Sequence, residues 1–209
     1  MHSPWQRVIP VAALLGLLVV SSDTRAFSLG PAGIKAGLAY SWMNIERSDY
    51  GRSEWHDGFV VGPFLSLELS PGWSLQPNLL YVRRGGTYRD RPDDLWGGLV
   101  WVQKVTFRLD YLEMPLLLRH DLLPDKPLNP VLLFGPVLGE LLSMEYVEDD
   151  VSDASWLRDW DAAFMLGAGL ETKRGSVVYS LEILYRHPLS DLSHSVESAG
   201  LSLLVGLGF

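Results

Sequence analysis

From Gly33 onward, apolar and polar residues change places at every second position. Ile34, Ala36, Leu38, Tyr40 and Trp42 fall on one side of an extended chain, and Lys35, Gly37, Ala39 and Ser41 on the other. A period of two predicts β-strands, because successive side chains of a strand point to opposite faces. The pattern recurs from Phe59 to Leu69, from Trp73 to Tyr81, from Leu109 to Arg119, from Val131 to Leu142, from Ala162 to Glu171, from Val177 to Arg186 and from Gly200 to Phe209. The fifth segment is the least regular. The fourth extends back as far as Leu99, and there Trp101, Val105, Phe107, Leu109 and Tyr111 share a phase opposite to that of Leu112, Met114, Leu116 and Leu118. That flip predicts a β-bulge between Tyr111 and Leu112, or an upper half standing outside a membrane.

These segments run about ten residues, the length a tilted strand needs to cross a bilayer. Alternation alone also fits the half-buried sheet of a soluble protein. The connections discriminate better, at about 16, 3, 22, 11, 19, 5 and 13 residues between approximate strand ends. Long and short alternate throughout, as in an outer-membrane barrel with short periplasmic turns and long external loops. The last strand ends on an aromatic residue, Phe209. Tyr40, Trp42, Tyr81, Tyr111 and Tyr185 fall near the outer strand ends and Trp73 near a periplasmic end, where aromatic belts lie. The expected fold is an all-β, eight-stranded, antiparallel, up-and-down transmembrane barrel.

Residues 1–26 read differently. Arg7 precedes an apolar run from Val8 to Val20, and polar residues lead to Ala26. This is the layout of a secretory signal peptide cleaved after Ala26. The run is short for a spanning helix and contains Pro10, which disfavours an uncleaved anchor. The expected division is a signal peptide over 1–26 and a barrel domain over 27–209. The whole chain carries 17 Lys+Arg against 25 Asp+Glu, a formal charge of −8. Losing Arg7, Arg25 and Asp23 with the leader makes it one unit more negative, which argues against a nucleic-acid partner. There is no cysteine, so disulfides do not hold the exported domain together.

Several motifs resemble the PorT-like family of outer-membrane barrels. They are Leu75-Gln76-Pro77-Asn78-Leu79-Leu80-Tyr81 followed by Arg83-Arg84-Gly85, and Leu109-Asp110-Tyr111-Leu112-Glu113-Met114-Pro115-Leu116-Leu117. Gly62-Pro63 and Gly135-Pro136 with Gly139 fit the same family. The resemblance implies an eight-stranded barrel with a periplasmic N-terminus, and its link to protein secretion is not carried over. Pro63, Pro77, Pro115 and Pro136 lie inside strands of a wall without edges, which predicts bulges or widened pairings in its periplasmic half.

Lys35, Glu68, Glu113, Glu182 and Arg186 fall on the inward phase, with Arg84, Arg119, Glu140 and Glu171 as further candidates. Paired carboxylates suit acid–base catalysis. In a barrel just wide enough for its own side chains, a salt-bridged filling is favoured, because buried charge demands partners. No HExxH, phosphate-cradling loop or His/Cys metal cluster occurs. His120, His187 and His194-Ser195 lack the orienting carboxylate of a hydrolase triad. No cofactor is expected.

The third long loop is acidic, with Glu145, Glu148, Asp149, Asp150, Asp153, Asp159 and Asp161. It is read as a solvated loop, with divalent-cation binding the alternative. Arg89, Arg91 and Trp96 in the second long loop, with Asp149, Asp150 and Asp153, are candidate interaction residues. Expected partners are outer-membrane lipid and lipopolysaccharide, the barrel-assembly machinery recognising Phe209, and an unidentified envelope protein. The favoured reading is a non-enzymatic barrel with a structural, adhesive or accessory role. The alternatives are a lipid-modifying barrel enzyme and a soluble periplasmic barrel binding an apolar ligand.

Overall fold

The computed structural model describes residues 28–45, 55–90, 103–146, 160–189 and 196–209. The proposed leader and cleavage point lie outside these residues. Nine strands form one antiparallel sheet: β1 (Ser28–Ile45), β2 (His56–Ser70), β3 (Trp73–Pro77), β4 (Leu80–Asp90), β5 (Gln103–Asp121), β6 (Leu128–Tyr146), β7 (Trp160–Arg174), β8 (Val177–Pro188) and β9 (Val196–Gly208). Neighbours in sequence pair in turn, with β3 and β4 both lying between β2 and β5, and β1 also pairs β9, so the sheet closes on itself. At the seam the Phe209 N–H donates to the Ala32 carbonyl at 2.9 Å, and the Ala32 N–H returns a bond to the Phe209 carbonyl at 3.2 Å. The backbone of Phe209 thus takes part in the closure.

β3 and β4 are one wall strand interrupted at Asn78-Leu79. Both hold the same register against β5, with Pro77 opposite Leu116 and Leu80 opposite Glu113. The interruption follows from the prolines, which bring no N–H to the ladder. Asn78 N–H donates to the Pro115 carbonyl at 2.9 Å and Leu79 N–H to the Pro63 carbonyl at 3.0 Å. Opposite Pro136, the β5–β6 ladder lacks pairs between Pro115–Val137 and Leu118–Phe134, yet keeps its register. The prolines therefore widen the pairing without adding a residue.

The register shifts lie elsewhere, between Leu29 and Ala32, between Glu68 and Ser70, and between Asp110 and Tyr111 of the β5–β6 pair. The last corrects the predicted flip. The extra residue is on β6, where Asp110 meets Ser143 and Tyr111 meets Leu141. β5 itself alternates without a break, with Leu109, Tyr111, Glu113 and Leu117 buried inside. Tyr111 is 0% exposed, so it belongs to the lumen and not to an aromatic belt. Two apolar residues simply face inward where the sequence pattern suggests outward.

Between strands, the connections alternate between long and short, as expected. The β2–β3 and β7–β8 turns are tight, with Gly72 at φ 77° and Gly175 at φ 64°, a region that L side chains rarely adopt. Outward positions are apolar and mostly large through the middle of the wall: Leu166 is 58% exposed and Val205 57%, joined by Leu38, Leu132, Leu181 and Ile183. A soluble domain does not leave so continuous an apolar surface uncovered, whereas a lipid-facing barrel wall requires it. Tyr40, Trp73, Trp160 and Tyr185 stand exposed toward the ends of this band.

Candidate functional site

Inward positions repeat one order along the strands. From the short-turn end, β3–β4 presents Gln76 and Asn78, then Leu80 and Val82, then Arg84. β5 presents Arg119, Leu117 and Glu113. β7 presents Glu171, then Met165 and Ala163, then Asp161. β8 presents Ser180 and Glu182, then Leu184, then Arg186. The lumen therefore has three tiers, polar, apolar and polar.

In the lower tier, Lys35 Nζ donates to Glu182 Oε2 at 2.7 Å and to Gln76 Oε1 at 3.0 Å. Lys35 and Glu182 are each 1% exposed. The Lys35 ammonium also lies 4.8 Å from the centre of the Phe64 ring, a favourable cation–π distance. Gly206 gives the lysine stem its room, since a Cβ there would come within 2.4 Å of Ser180 Oγ and 3.2 Å of Lys35 Cγ. Nearer the short-turn end, Arg119 bridges Asp121 at 2.7 Å and Glu171 at 2.5 Å. Asn129 Nδ2 donates to Asp121 at 2.8 Å.

The middle tier is a buried apolar cluster that includes Val60, Leu80, Val82, Leu117, Leu133, Val137, Met165, Leu184 and Leu204. These residues come from every sector of the wall, so they meet as a septum across the cylinder. An eight-stranded barrel is narrow enough for side chains to fill it this way.

Above the septum stand Arg84, Glu113, Asp161 and Arg186, two cations against two carboxylates. Arg84 pairs with Glu113 and, through Nη1, lies 3.6 Å from Asp161. Arg186 pairs with Asp161 and lies 3.3 Å from Glu113. Arg186 Nη1 also donates to the Ser198 carbonyl at 2.6 Å, and Arg84 stacks 4.3 Å from the Tyr111 ring centre. Each guanidinium reaches both carboxylates, the pairing that four buried charges demand.

Of the candidates read from the sequence, the structure brings Lys35 against Glu182, Glu113 against Arg186 and Arg84, and Arg119 against Glu171. Glu68 differs. It shares the inward phase but sits exposed at the short-turn rim, accepting a bond from Ser28 Oγ at 2.8 Å. Glu140 also differs: it pairs with Leu112 and Trp160 on the outward phase of β6. Asp161, read as part of the acidic loop, belongs to β7 and to the lumen. Its place two residues before the inward Ala163 was the available signal. Gln76 was overlooked as a partner because it carries no charge.

Of the loop candidates, Arg91, Trp96, Asp149, Asp150 and Asp153 lie outside the described residues. Arg89 is described in its backbone alone, paired with Lys104 in the β4–β5 hairpin. Among the described residues no group of His, Cys, Asp and Glu is arranged to hold a metal. His120 stacks on Trp73 at 4.1 Å, and its Nδ1 meets the Gly72 carbonyl at 3.0 Å. It serves a turn rather than a nucleophile.

Outside the wall, Arg83 grips Asp110 through Nε at 2.7 Å and Nη2 at 3.1 Å, and Ser143 Oγ donates to the same carboxylate at 3.1 Å. This outward ion pair stands just beyond Tyr81 and Leu112. It marks the upper limit of the apolar band, since hydrocarbon does not accept such a group cheaply.

Three solved structures align with this chain. The outer membrane protein OprG from Pseudomonas aeruginosa aligns with a TM-score of 0.52 at 11% identity, covering 89% of this chain and 98% of that one. Neisserial surface protein A aligns at 0.49 with 15% identity over 87% of this chain and 99% of that one. Ail, the attachment invasion locus protein of Yersinia pestis, aligns at 0.45 with 17% identity over 87% and 100%. No curated protein sequence matches the chain. Residues 30–194 match the family described as "Outer membrane protein beta-barrel domain", which spans most of the wall described above. The chain belongs to that family of outer-membrane β-barrels.

Proposed function

We propose that this protein is a non-conducting, non-enzymatic outer-membrane barrel whose work is done by its long external loops, in an adhesive, structural or accessory role in the envelope. One observation carries the reading: an apolar septum crosses the lumen between two tiers of paired charge. A hydrated path for ions or nutrients requires a polar lining throughout, and here Leu80, Leu133, Leu184 and Leu204 interrupt it. The lumen charges satisfy one another and so serve stability. With short turns at the periplasmic end, the four long connections fall at the external end. Arg89, Arg91 and Trp96, with Asp149, Asp150 and Asp153, are the side chains proposed to meet lipopolysaccharide or a surface partner. The Leu75–Tyr81 and Leu109–Leu117 motifs support a place among PorT-like barrels. Both build lumen tiers, through Gln76 and Asn78 in one and Tyr111 and Glu113 in the other.

Liposome swelling tests the sealed lumen. Vesicles carrying the folded protein are expected to exclude arabinose as protein-free vesicles do. Swelling that scales with protein content would overturn the reading. Trimming residues 91–102 and 147–159 is expected to abolish partner crosslinking in intact cells while the barrel still assembles.

A further inference from the structure

Below the lower tier the barrel opens into a cavity of about 770 Å³ at the short-turn end. That volume lies within the range of small-ligand sites. Its wall includes Ser66, Ser74, Glu68, Arg119, Glu171 and Trp73. The lumen charges described so far include Arg119 and Glu171, and two features of this cavity point to a ligand.

The first is a pair of serines. Ser66 and Ser74 are each about 5% exposed, and they line the cavity from neighbouring strands, β2 and β3. Among the described residues neither hydroxyl has a hydrogen-bond partner, and both line the cavity. Their residues are buried in the wall while the hydroxyls face the open space of the cavity, accessible to a ligand. The second is charge. Arg119 is shared between Asp121 and Glu171, which leaves that trio one unit negative. Glu68 adds another carboxylate at the rim beside Ser74, its cross-strand neighbour, and Lys173 on the cavity wall offsets one of them. The cavity therefore offers free hydroxyl acceptors within a negative field.

We infer that this periplasm-facing cavity is a binding site for an alkylammonium group. An ammonium carries three donors and no acceptor, which suits two serine oxygens and a carboxylate. Charge-assisted bonds of this kind are the stronger class. Pro31 and Val178 on the wall give the attached methylene chain an apolar surface. The septum above stops the bound group from passing through, so the site holds a ligand and does not transport it. Two sources present this chemistry from the periplasm: a free polyamine, and a lysine side chain of a peptide or protein. The inference uses the proposed function only for the side from which the ligand enters, and liposome swelling tests that reading separately.

The test titrates the folded protein in lipid nanodiscs with spermidine, with trilysine and with glutarate, following backbone amide resonances. Saturable shifts at Ser66, Ser74 and Arg119 are expected with a cation and not with glutarate. Response to spermidine assigns the free polyamine, and response to trilysine alone assigns a lysine-bearing chain. The Glu68→Gln/Glu171→Gln variant is expected to bind about tenfold more weakly or worse. Because Glu171 also supports Arg119, Glu68→Gln alone and Ser66→Ala/Ser74→Ala serve as milder variants, each expected to bind severalfold more weakly. No saturation by either cation up to about 10 mM, equal shifts with glutarate, or unchanged affinity in Glu68→Gln would overturn the assignment.

Discussion

Replacing Glu113 with leucine takes one of two carboxylates from the upper tier and leaves Arg84 and Arg186 to share Asp161. Glu113 is 1% exposed and touches both guanidiniums. Arg84 then keeps only its 3.6 Å approach to Asp161, while Arg186 keeps its direct pair and its bond to the Ser198 carbonyl. The tier passes from neutral to a net positive charge inside a lumen closed on one side by hydrocarbon side chains. Breaking a buried pair in this way costs about 3–5 kcal/mol. The assay is urea-driven unfolding in lipid vesicles, read by tryptophan fluorescence, where a fall in midpoint at constant slope reports lost stability. Adding Arg84→Met restores neutrality with one arginine facing one aspartate. Glu113→Leu/Arg84→Met is therefore expected to recover at least roughly 1 kcal/mol relative to additivity. A Glu113→Leu variant within about 0.5 kcal/mol of the parent, or strictly additive singles, would refute the reasoning.

Lys35→Met is expected to destabilise the barrel by a similar amount, since it strands Glu182, and Lys35→Met/Glu182→Leu is expected to be markedly more stable than Lys35→Met in the same titration. Leu181→Arg places a cation on the lipid face and should cost roughly 2–4 kcal/mol; a neutral outcome would contradict the assigned face. Converting Leu133 and Leu204 to serine should wet the septum and raise ion leak across planar bilayers, where the parent protein is expected to show none. Removing Phe209 deletes both hydrogen bonds to Ala32 at the seam and should lower the yield of assembled, heat-modifiable barrel in membranes.

Much of the fold was legible because lipid imposes a simple code. In β1, β8 and β9 the outward residues are apolar and most inward ones are small, polar or charged, Val178, Leu184 and Leu204 apart, so alternation assigns each face. β5 is where that code fails. Leu109 and Tyr111 are apolar yet inward, because the lumen needs packing as well as charge, and a pattern ranked by hydrophobicity cannot tell a septum from a membrane face. The error in phase then hid Tyr111 from the lumen and suggested a bulge on the wrong strand. The proline positions were readable as places of weakened pairing, but not that the register would survive them. That depended on bonds such as Asn78 N–H to the Pro115 carbonyl, which join residues far apart in sequence. Among the charges, Glu113, Glu182 and Arg186 were found by phase alone. Glu68 shared the phase but lay past the end of the buried stretch, and Asp161 was lost to a strand boundary placed one residue late.

The account depends on which face of each strand meets hydrocarbon. Photolabelling from a carbene precursor held in the acyl chains, followed by peptide mapping of the folded protein, examines this directly. Modification is expected at Leu181, Ile183, Leu203 and Val205, with Glu182, Leu184 and Leu204 spared. Label on Leu184 and Leu204, or an outward set left untouched, would contradict it.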